Sequence, residues 1–195
     1  MDSSDASAIR HGIIEKYRRV ADSPTGLFRY PIGEASALSL GYPPALLARV
    51  PSTIRDRFVG VGNPFALGEV RIGESVLDLG CGAGFDAFVA AQFVGAGGAV
   101  VGVDLSAEML AVANAGRAEI GWAQLDFREA AIEALPFPEA SFDAALSNGV
   151  LNLIPNKPAA LREIFRVLRS GGHLQACDIG LTDEETPPDK APWSD

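Results

Sequence analysis

Glycines at alternate positions after an apolar run are the feature of this chain best suited to holding a ligand. The segment VLDLGCGAGFD, residues 76–86, contains Asp78, Gly80, Gly82 and Gly84. Glycine adopts backbone conformations closed to residues with a Cβ, and it lets a ligand approach the main chain closely. The segment therefore predicts a nucleotide-sized ligand at the carboxyl end of a parallel strand.

A second acidic residue, Asp104, ends the next apolar run, VVGVD. A carboxylate there can accept hydrogen bonds from both hydroxyls of a ribose. The dinucleotide fingerprint G-x-G-x-x-G does not fit, because the third glycine comes one position early and Phe85 stands where the last glycine is needed. This spacing disfavours NAD, although the acid alone does not distinguish between nucleoside cofactors.

From about residue 70 onward, apolar runs alternate with segments of helical period, which predicts an α/β fold with helices on both faces of a parallel sheet. Strands are predicted at residues 75–79, 99–103, 124–128, 142–147 and 173–178. Helices are predicted from Phe85, after an N-cap at Ser106, and from Lys157 to about Arg169. The apolar stripe of the last helix is predicted at Leu161, Ile164, Phe165 and Leu168.

The first 70 residues differ in composition, with one amphipathic helix followed by a stretch rich in Pro and Gly. We therefore expect a helical cap or lid at residues 1–70 and a Rossmann-like core at 71–181. The acidic, Pro-containing residues 182–195 are expected to form a mobile tail.

Composition narrows the class of partner. The chain has 16 Lys and Arg against 25 Asp and Glu, a net charge of −9, which disfavours nucleic acid. No apolar run approaches the roughly 18 residues that span a bilayer. The two cysteines form no metal-ligand pattern and fit a reducing cytoplasm. We expect a cytoplasmic protein with no bound metal, membrane or nucleic acid.

Residues 70–180 resemble the class I S-adenosylmethionine-dependent methyltransferases in the glycine loop, in GVDLSAEML, in EALPFPEASFDAALS and in LRSGG. The resemblance implies a three-layer Rossmann-like fold and S-adenosyl-L-methionine as the cofactor. It implies that Asp104 binds the ribose and that Leu105 and Met109 lie near the adenine. The methionine portion would contact Asp78, Gly80, Cys81, Gly82 and Gly84.

The family pattern also places an acid two residues before the Glu of EALPF, where this chain has Ala131. One hydrogen bond to the adenine amino group would then be missing, a net loss of about 1 kcal/mol. The backbone of Ile132 would still contact the ring. Asn148, after the fourth strand, is assigned to the same site.

Within the superfamily, the resemblance is closest to arsenite methyltransferases and UbiE-like relatives, through GNPF, GAGFDAFVAA, LSNGVLNLIPNK and ACDIG. The arsenite enzymes hold arsenic with thiolates, but this chain has Val61 and Gly149 at two of the family's cysteine positions, and the third is missing. Cys81 and Cys177 match none of these positions and are interpreted as buried structural thiols. We expect a relative with a changed acceptor.

The acceptor is expected to be a small molecule that receives the methyl group by in-line displacement. Tyr17 and Tyr30 of the cap are candidates for closing over it, with Asn148 as an orienting group and Asp178 as a possible base. Three of them have a structural alternative: Tyr17 in the core, Asn148 as a helix cap and Asp178 in a turn.

The family sheet normally has two further strands, six and seven, so the resemblance implies an incomplete sheet in this chain. A fragment or a homodimer paired through the exposed edge would explain it. Besides a methyltransferase, two other functions remain open. One is a non-catalytic module that binds S-adenosylmethionine or S-adenosylhomocysteine, and the other is an NAD-dependent oxidoreductase.

Overall fold

Five parallel strands form the central sheet of the computed structural model, which describes residues 3–68 and 70–180. They are β1 (Ser75–Leu79), β2 (Ala99–Asp104), β3 (Leu125–Glu129), β4 (Phe142–Asn148) and β5 (Leu168–Cys177). Their order, β3-β2-β1-β4-β5, confirms the predicted parallel sheet. The direction of winding reverses between β1 and β4, and ligands of such sheets bind at the carboxyl ends of the strands beside this point.

Helices cover both faces of the sheet, as predicted for three layers. They are α1 (Ser3–Asp22), α2 (Gly33–Ser39), α3 (Pro44–Leu47), α4 (Ser52–Arg55), α5 (Phe85–Val94), α6 (Ala107–Ile120) and α7 (Lys157–Val167). Side chains of α5, α6 and the N-terminal helices share one apolar cluster with one face of the sheet. Helix α7 packs on the opposite face, where Leu77 and Leu79 contribute to a second cluster.

Local signals account for most helix ends. The predicted N-cap Ser106 accepts a hydrogen bond from the Met109 N–H at 3.2 Å. Asn156 caps α7 in the same way, by accepting from the Ala159 N–H at 3.2 Å. Gly121 ends α6 in a left-handed conformation.

The boundary between α7 and β5 corrects the prediction. The helix ends at Val167 and the strand begins at Leu168, so Ser170-Gly171-Gly172 lies within β5 instead of stopping a helix. Pairing with β4, which contains an irregularity between Phe142 and Ala144, provides the hydrogen bonds that extend the strand. The observed β2, β3 and β4 also end one residue later than predicted, and β3 begins one residue later.

The predicted apolar stripe of α7 is also wrong in part. The buried residues are Ala160, Ile164 and Val167, whereas Leu161 is 51% exposed and Phe165 is 83% exposed. The predicted and the observed sets of residues both have helical spacing. The observed set is buried because α7 packs against β5 and against the turn at residues 132–134.

The N-terminal helices lie over one face of the sheet. Helix α1 packs against α6, and Val20 near its end is fully buried. None of the described helices combines the length and apolarity needed to cross a bilayer. The predicted tail, 182–195, lies outside the described residues.

Arg57 anchors the end of α1. Its guanidinium donates to the carbonyl oxygens of Ala21 at 2.7 Å, Asp22 at 3.1 Å and Thr53 at 3.0 Å. The last carbonyls of a helix have no partner within it, so this contact satisfies groups that would otherwise need water.

Arg57→Met retains the apolar stem but removes these donors. We expect a loss of about 1–2 kcal/mol in the free energy of unfolding and faster deuterium exchange in the last turn of α1. Chemical denaturation and exchange mass spectrometry measure the two effects. Arg162→Met, at an exposed position on α7, is the control, and equal exchange in both variants would exclude the anchoring role.

Candidate functional site

A cavity lies at the carboxyl ends of β1, β2 and β4, with α1 on one side. Ile13, Ile14 and Tyr17 line it from α1, and Phe58 and Val59 line it from the segment after α4. The sheet and the first turn of α5 contribute a polar wall, formed by Asp78, Asp104 and Asn148 on strands and by Asp86 on the helix. The cavity therefore has an acidic side and an apolar side.

The glycine loop lies between these walls, and two of its positions require glycine. Gly80 has φ +64°, and a Cβ there would lie 2.6 Å from a methyl group of Val150. Gly84 has φ +90°, and a Cβ there would lie 2.6 Å from the Phe127 ring. Substitution at either position would combine a strained backbone with a collision, so the loop keeps this path only with glycine at both positions.

Asp104 connects the loop to the end of β2. Its carboxylate accepts hydrogen bonds from the Gly82 N–H at 2.8 Å and the Ser106 N–H at 2.9 Å. Burial raises the pKa of Asp104, and these backbone donors partly oppose the rise. Each carboxylate oxygen has a further lone pair, so the side chain can still accept from a pair of ligand hydroxyls.

Asp78 contains a buried polar atom without a partner. The side chain is only 2% exposed and accepts a hydrogen bond from the Ala87 N–H in the first turn of α5, but its Oδ2 accepts none. Burial raises the pKa of Asp78, and the nearby Asp86 raises it further. An unpartnered carboxylate oxygen in a cavity wall favours a ligand that brings a cation or an N–H donor.

Asp86 is a buried site residue that sequence analysis missed. Its Oδ1 accepts from the Tyr42 hydroxyl at 2.5 Å, and its Oδ2 accepts from the Asn148 amide at 2.9 Å. Burial raises the pKa of Asp86 to about 6, although both hydrogen bonds act to lower it. An acidic residue within the otherwise apolar helix FDAFVAAQFV was the available signal. Tyr42, far away in sequence, carried no such signal.

Asn148 joins the cavity wall to the segment before β1. Its Oδ1 accepts from the N–H groups of Val61 and Gly62 at 2.8 and 3.0 Å, and its amide also donates to the Gly62 carbonyl at 2.9 Å. These contacts use its hydrogen-bonding groups within the protein. The geometry makes Asn148 a positioning residue for residues 60–62, and its assignment to ligand binding stays a prediction.

The structure brings most of the predicted cofactor residues together. Besides the acids and the loop, the cavity wall includes Cys81, Leu105, Met109, Ile132 and Tyr17. Gly84 of the loop, Tyr30, Ala131 and Asp178 do not line it. The Tyr30 hydroxyl donates to the Val59 carbonyl, and Asp178 accepts from the backbone N–H groups of Asn152 and Ile179, as in the turn alternative.

A charged pair at the cavity wall was also missed. Arg10 of α1 donates to Glu133 at 2.9 Å, and both residues line the cavity. The pair joins positions 123 residues apart, and neither sequence neighbourhood indicated the contact.

Val61 and Gly149, where the resemblance places two arsenic-binding cysteines, lie next to each other. A Cβ on Gly149 would lie 3.4 Å from a methyl group of Val61. The structure therefore brings the two positions together but provides only an aliphatic surface there. Cys81 is buried as expected, but Cys177 is only partly buried, because it lies near the end of the edge strand β5. Cys177 lies beside Gly62, and its partial burial raises the pKa of its thiol.

Comparison with known proteins agrees with this geometry. A family model described as a methyltransferase domain matches residues 71–193. The chain is 40% identical over 170 residues to an arsenite methyltransferase of Aquipseudomonas alcaligenes, a match that covers 84% of this chain and 48% of that protein. It is 37% identical over 121 residues to the ubiquinone/menaquinone biosynthesis C-methyltransferase UbiE of Xylella fastidiosa, covering 62% of this chain and 48% of that one.

A solved structure is also similar. The crystal structure of an arsenic(III) S-adenosylmethionine methyltransferase from Chlamydomonas reinhardtii superposes with a TM-score of 0.64 at 38% identity. The match covers 71% of this chain and 50% of that one. This chain thus spans about half the length of each of these three relatives.

The buried carboxylate of Asp86 should cost stability in the ligand-free protein. Because its pKa is raised to about 6, its contribution to stability is complete below the ordinary value of 3.8 and is lost as pH rises through 6. Asp86→Asn should therefore raise the free energy of unfolding at pH 8 by about 1–3 kcal/mol, and the gain should shrink as the pH falls to 5. Urea denaturation across this range measures it.

Asp143→Asn is the matched control. Burial acts to raise the pKa of Asp143, but hydrogen bonds from the Ser75 N–H and from Arg169 outweigh burial and lower it. The Asp143 carboxylate thus stabilises the fold above its ordinary pKa, so this variant should lose stability at every pH from 5 to 8. A loss of the same kind in Asp86→Asn would contradict the prediction.

Proposed function

The chain belongs to the class I S-adenosylmethionine-dependent methyltransferases, and from this membership we propose that it transfers the methyl group of S-adenosylmethionine to a small-molecule acceptor. The observation that carries the proposal is the unpartnered Oδ2 of Asp78 in the same cavity wall as Asp104. One carboxylate suits a cationic amino group and the other suits a ribose, which are two parts of this cofactor.

The remaining cavity residues also fit the cofactor. The glycine loop suits the methionine portion, because Gly80 and Gly82 line the cavity without side chains that would keep a ligand away from the main chain. Leu105, Met109 and Ile132 offer apolar surfaces to an adenine ring. The cavity thus offers apolar surface to the adenine ring and polar groups to the amino group and the ribose of the cofactor.

When bound, S-adenosylmethionine supplies an electrophilic methyl group on a positively charged sulfur. Transfer is an in-line displacement in which that charge disappears, so the protein needs mainly to align the acceptor and exclude water. Phe58, Val59, Val150 and Leu153 form an apolar wall suited to both tasks. The geometry places no obvious general base on that wall, and the proposed mechanism does not require one.

The acceptor is proposed to be a carbon-rich small molecule with an apolar surface instead of arsenite. Two relatives are named for methylation of arsenite and of quinones. In this chain the adjacent positions Val61 and Gly149 offer no thiolate, and the apolar walls favour contact with carbon. Soft arsenic requires thiolate ligands, so arsenite is the less suitable acceptor.

Further proposals rest on composition and on the sheet edge. Net charge supports the absence of a nucleic-acid partner, and the two unpaired cysteines support a cytoplasmic location. Strand β5 forms one edge of the sheet in the described residues, which supports pairing with a second copy as a homodimer.

Calorimetric titration tests the cofactor site. The wild-type chain should bind S-adenosylmethionine and S-adenosylhomocysteine but not NADH. Asp104→Ala should raise the Kd of both ligands about a hundredfold, because two charged hydrogen bonds to the ribose are lost. Asp126→Ala, which removes an acid paired with Arg117 and Arg128 outside the cavity, should leave both Kd values unchanged. A folded wild-type chain that binds neither ligand would refute the proposed function.

Arsenite binding tests the acceptor proposal. Among residues 3–68 and 70–180, no three His, Cys, Asp or Glu side chains come together as a metal-binding group. After incubation with arsenite and gel filtration, the protein should retain far less than one arsenic per chain by elemental mass spectrometry. Stoichiometric arsenic that disappears in Cys81→Ser or Cys177→Ser would contradict this expectation.

A further inference from the structure

Asp86 is a buried acid in a place where no fold-stabilising role requires a charge. It is 7% exposed and lies in the first turn of α5, beside the glycine loop, with its side chain at the cavity. Its hydrogen-bond donors, Tyr42 and Asn148, are both neutral. A neutral Asn at position 86 could accept from Asn148 and donate to the Tyr42 oxygen, while the Tyr42 hydroxyl donates to the Gly62 carbonyl.

The cationic side chains that line the cavity have other partners. Arg10 is paired with Glu133, and Arg57 donates to main-chain carbonyls near the end of α1. Asp78 and Asp86 therefore form a buried pair of carboxylates that these two cations do not neutralise. Asp78 is only 2% exposed, and its Oδ2 has no hydrogen-bond partner. This unpartnered oxygen points independently to a ligand that compensates the negative charge of the pair.

The proposed cofactor and the product left after methyl transfer differ by one charge, at the sulfur atom. S-adenosylmethionine has a sulfonium, whereas the sulfur of S-adenosylhomocysteine is neutral, and both share the amino, carboxylate, ribose and adenine groups. During transfer the methyl–sulfur bond breaks, its electron pair stays on sulfur, and the acceptor forms the new bond and releases its proton to solvent. The positive charge thus leaves the cofactor in the chemical step.

We propose that Asp86, together with Asp78, makes this cavity prefer S-adenosylmethionine over S-adenosylhomocysteine by charge. The inference rests on the proposed function and goes further by giving Asp86 a specificity-determining role. In a buried site, attraction between a carboxylate and a sulfonium is weakly screened. This attraction is absent when the sulfur is neutral, so S-adenosylhomocysteine dissociates more readily than S-adenosylmethionine does.

Binding selectivity of the full chain tests the role of Asp86. In calorimetric titrations, we expect Asp86→Asn to reduce the ratio of the Kd for S-adenosylhomocysteine to the Kd for S-adenosylmethionine about tenfold. Asp104→Asn is the matched control, since the ribose is common to both ligands, and it should weaken both with an unchanged ratio. Sinefungin, which has a charged amine in place of the sulfonium, should follow S-adenosylmethionine in each variant.

A measurement on the wild-type chain keeps the test independent of whether Asp86→Asn folds. The groups facing Asp86 are Tyr42, Asn148, Asp78 on β1 and Cys177 on β5, and no cation is among them. An arriving sulfonium should lower the pKa of the carboxylate pair and release protons. Titrations at pH 6.5 in buffers of low and high ionisation enthalpy should therefore show more proton release for S-adenosylmethionine than for S-adenosylhomocysteine.

The outcomes separate this inference from the proposed function. If the wild-type chain binds neither ligand, the proposed function fails. If it binds both, but the Kd ratio is the same in the wild type and Asp86→Asn and proton release is equal for the two ligands, the role of Asp86 is overturned while the cofactor site stands.

Discussion

Negative charge buried at the carboxyl ends of neighbouring strands is the constraint on which the rest of this structure depends. Parallel pairing aligns Asp78 of β1 with Gly102 of β2, which brings Asp104 to the same edge of the sheet. Asp86 follows from the first turn of α5. Burial raises the pKa of all three acids, and the fold supports them with neutral N–H and hydroxyl donors. Such a site is incomplete without a ligand that brings positive charge or donors.

The N-terminal residues are part of this arrangement. Tyr42 reaches Asp86, Asn148 on β4 holds the backbone of residues 61 and 62, and Arg57 fixes the end of α1 near the cavity. The hydrogen bonds of Tyr42 and Asn148 cross the predicted boundary at residue 70. A change in the position of the N-terminal helices would therefore alter the acceptor wall and the acidic wall together.

The two sides of the cavity suit the two reactants of the proposed methyl transfer. The acidic side and the glycine loop suit a charged nucleoside, and the apolar side suits a carbon-rich acceptor. In the proposed reaction a positive charge disappears, so the buried carboxylates proposed to favour S-adenosylmethionine would lose that attraction to S-adenosylhomocysteine. In the ligand-free protein we expect them to reduce stability, a cost that is typical of functional sites.

The sequence by itself determined the features that depend on neighbouring residues. Its apolar runs predicted five parallel strands, Ser106 predicted the start of α6, and the glycine spacing pointed to Asp78 and Asp104, which the structure brings to one cavity. Tertiary structure decided what depends on distant residues. Pairing with β4 extended β5 back to Leu168. Packing of α7 buried Ala160 and Val167 and left Phe165 exposed. Asp86 became a site residue only because Tyr42 and Asn148, 44 and 62 positions away, meet it in a buried network. Local spacing cannot encode such contacts, because they form only when the sheet and the N-terminal helices are assembled.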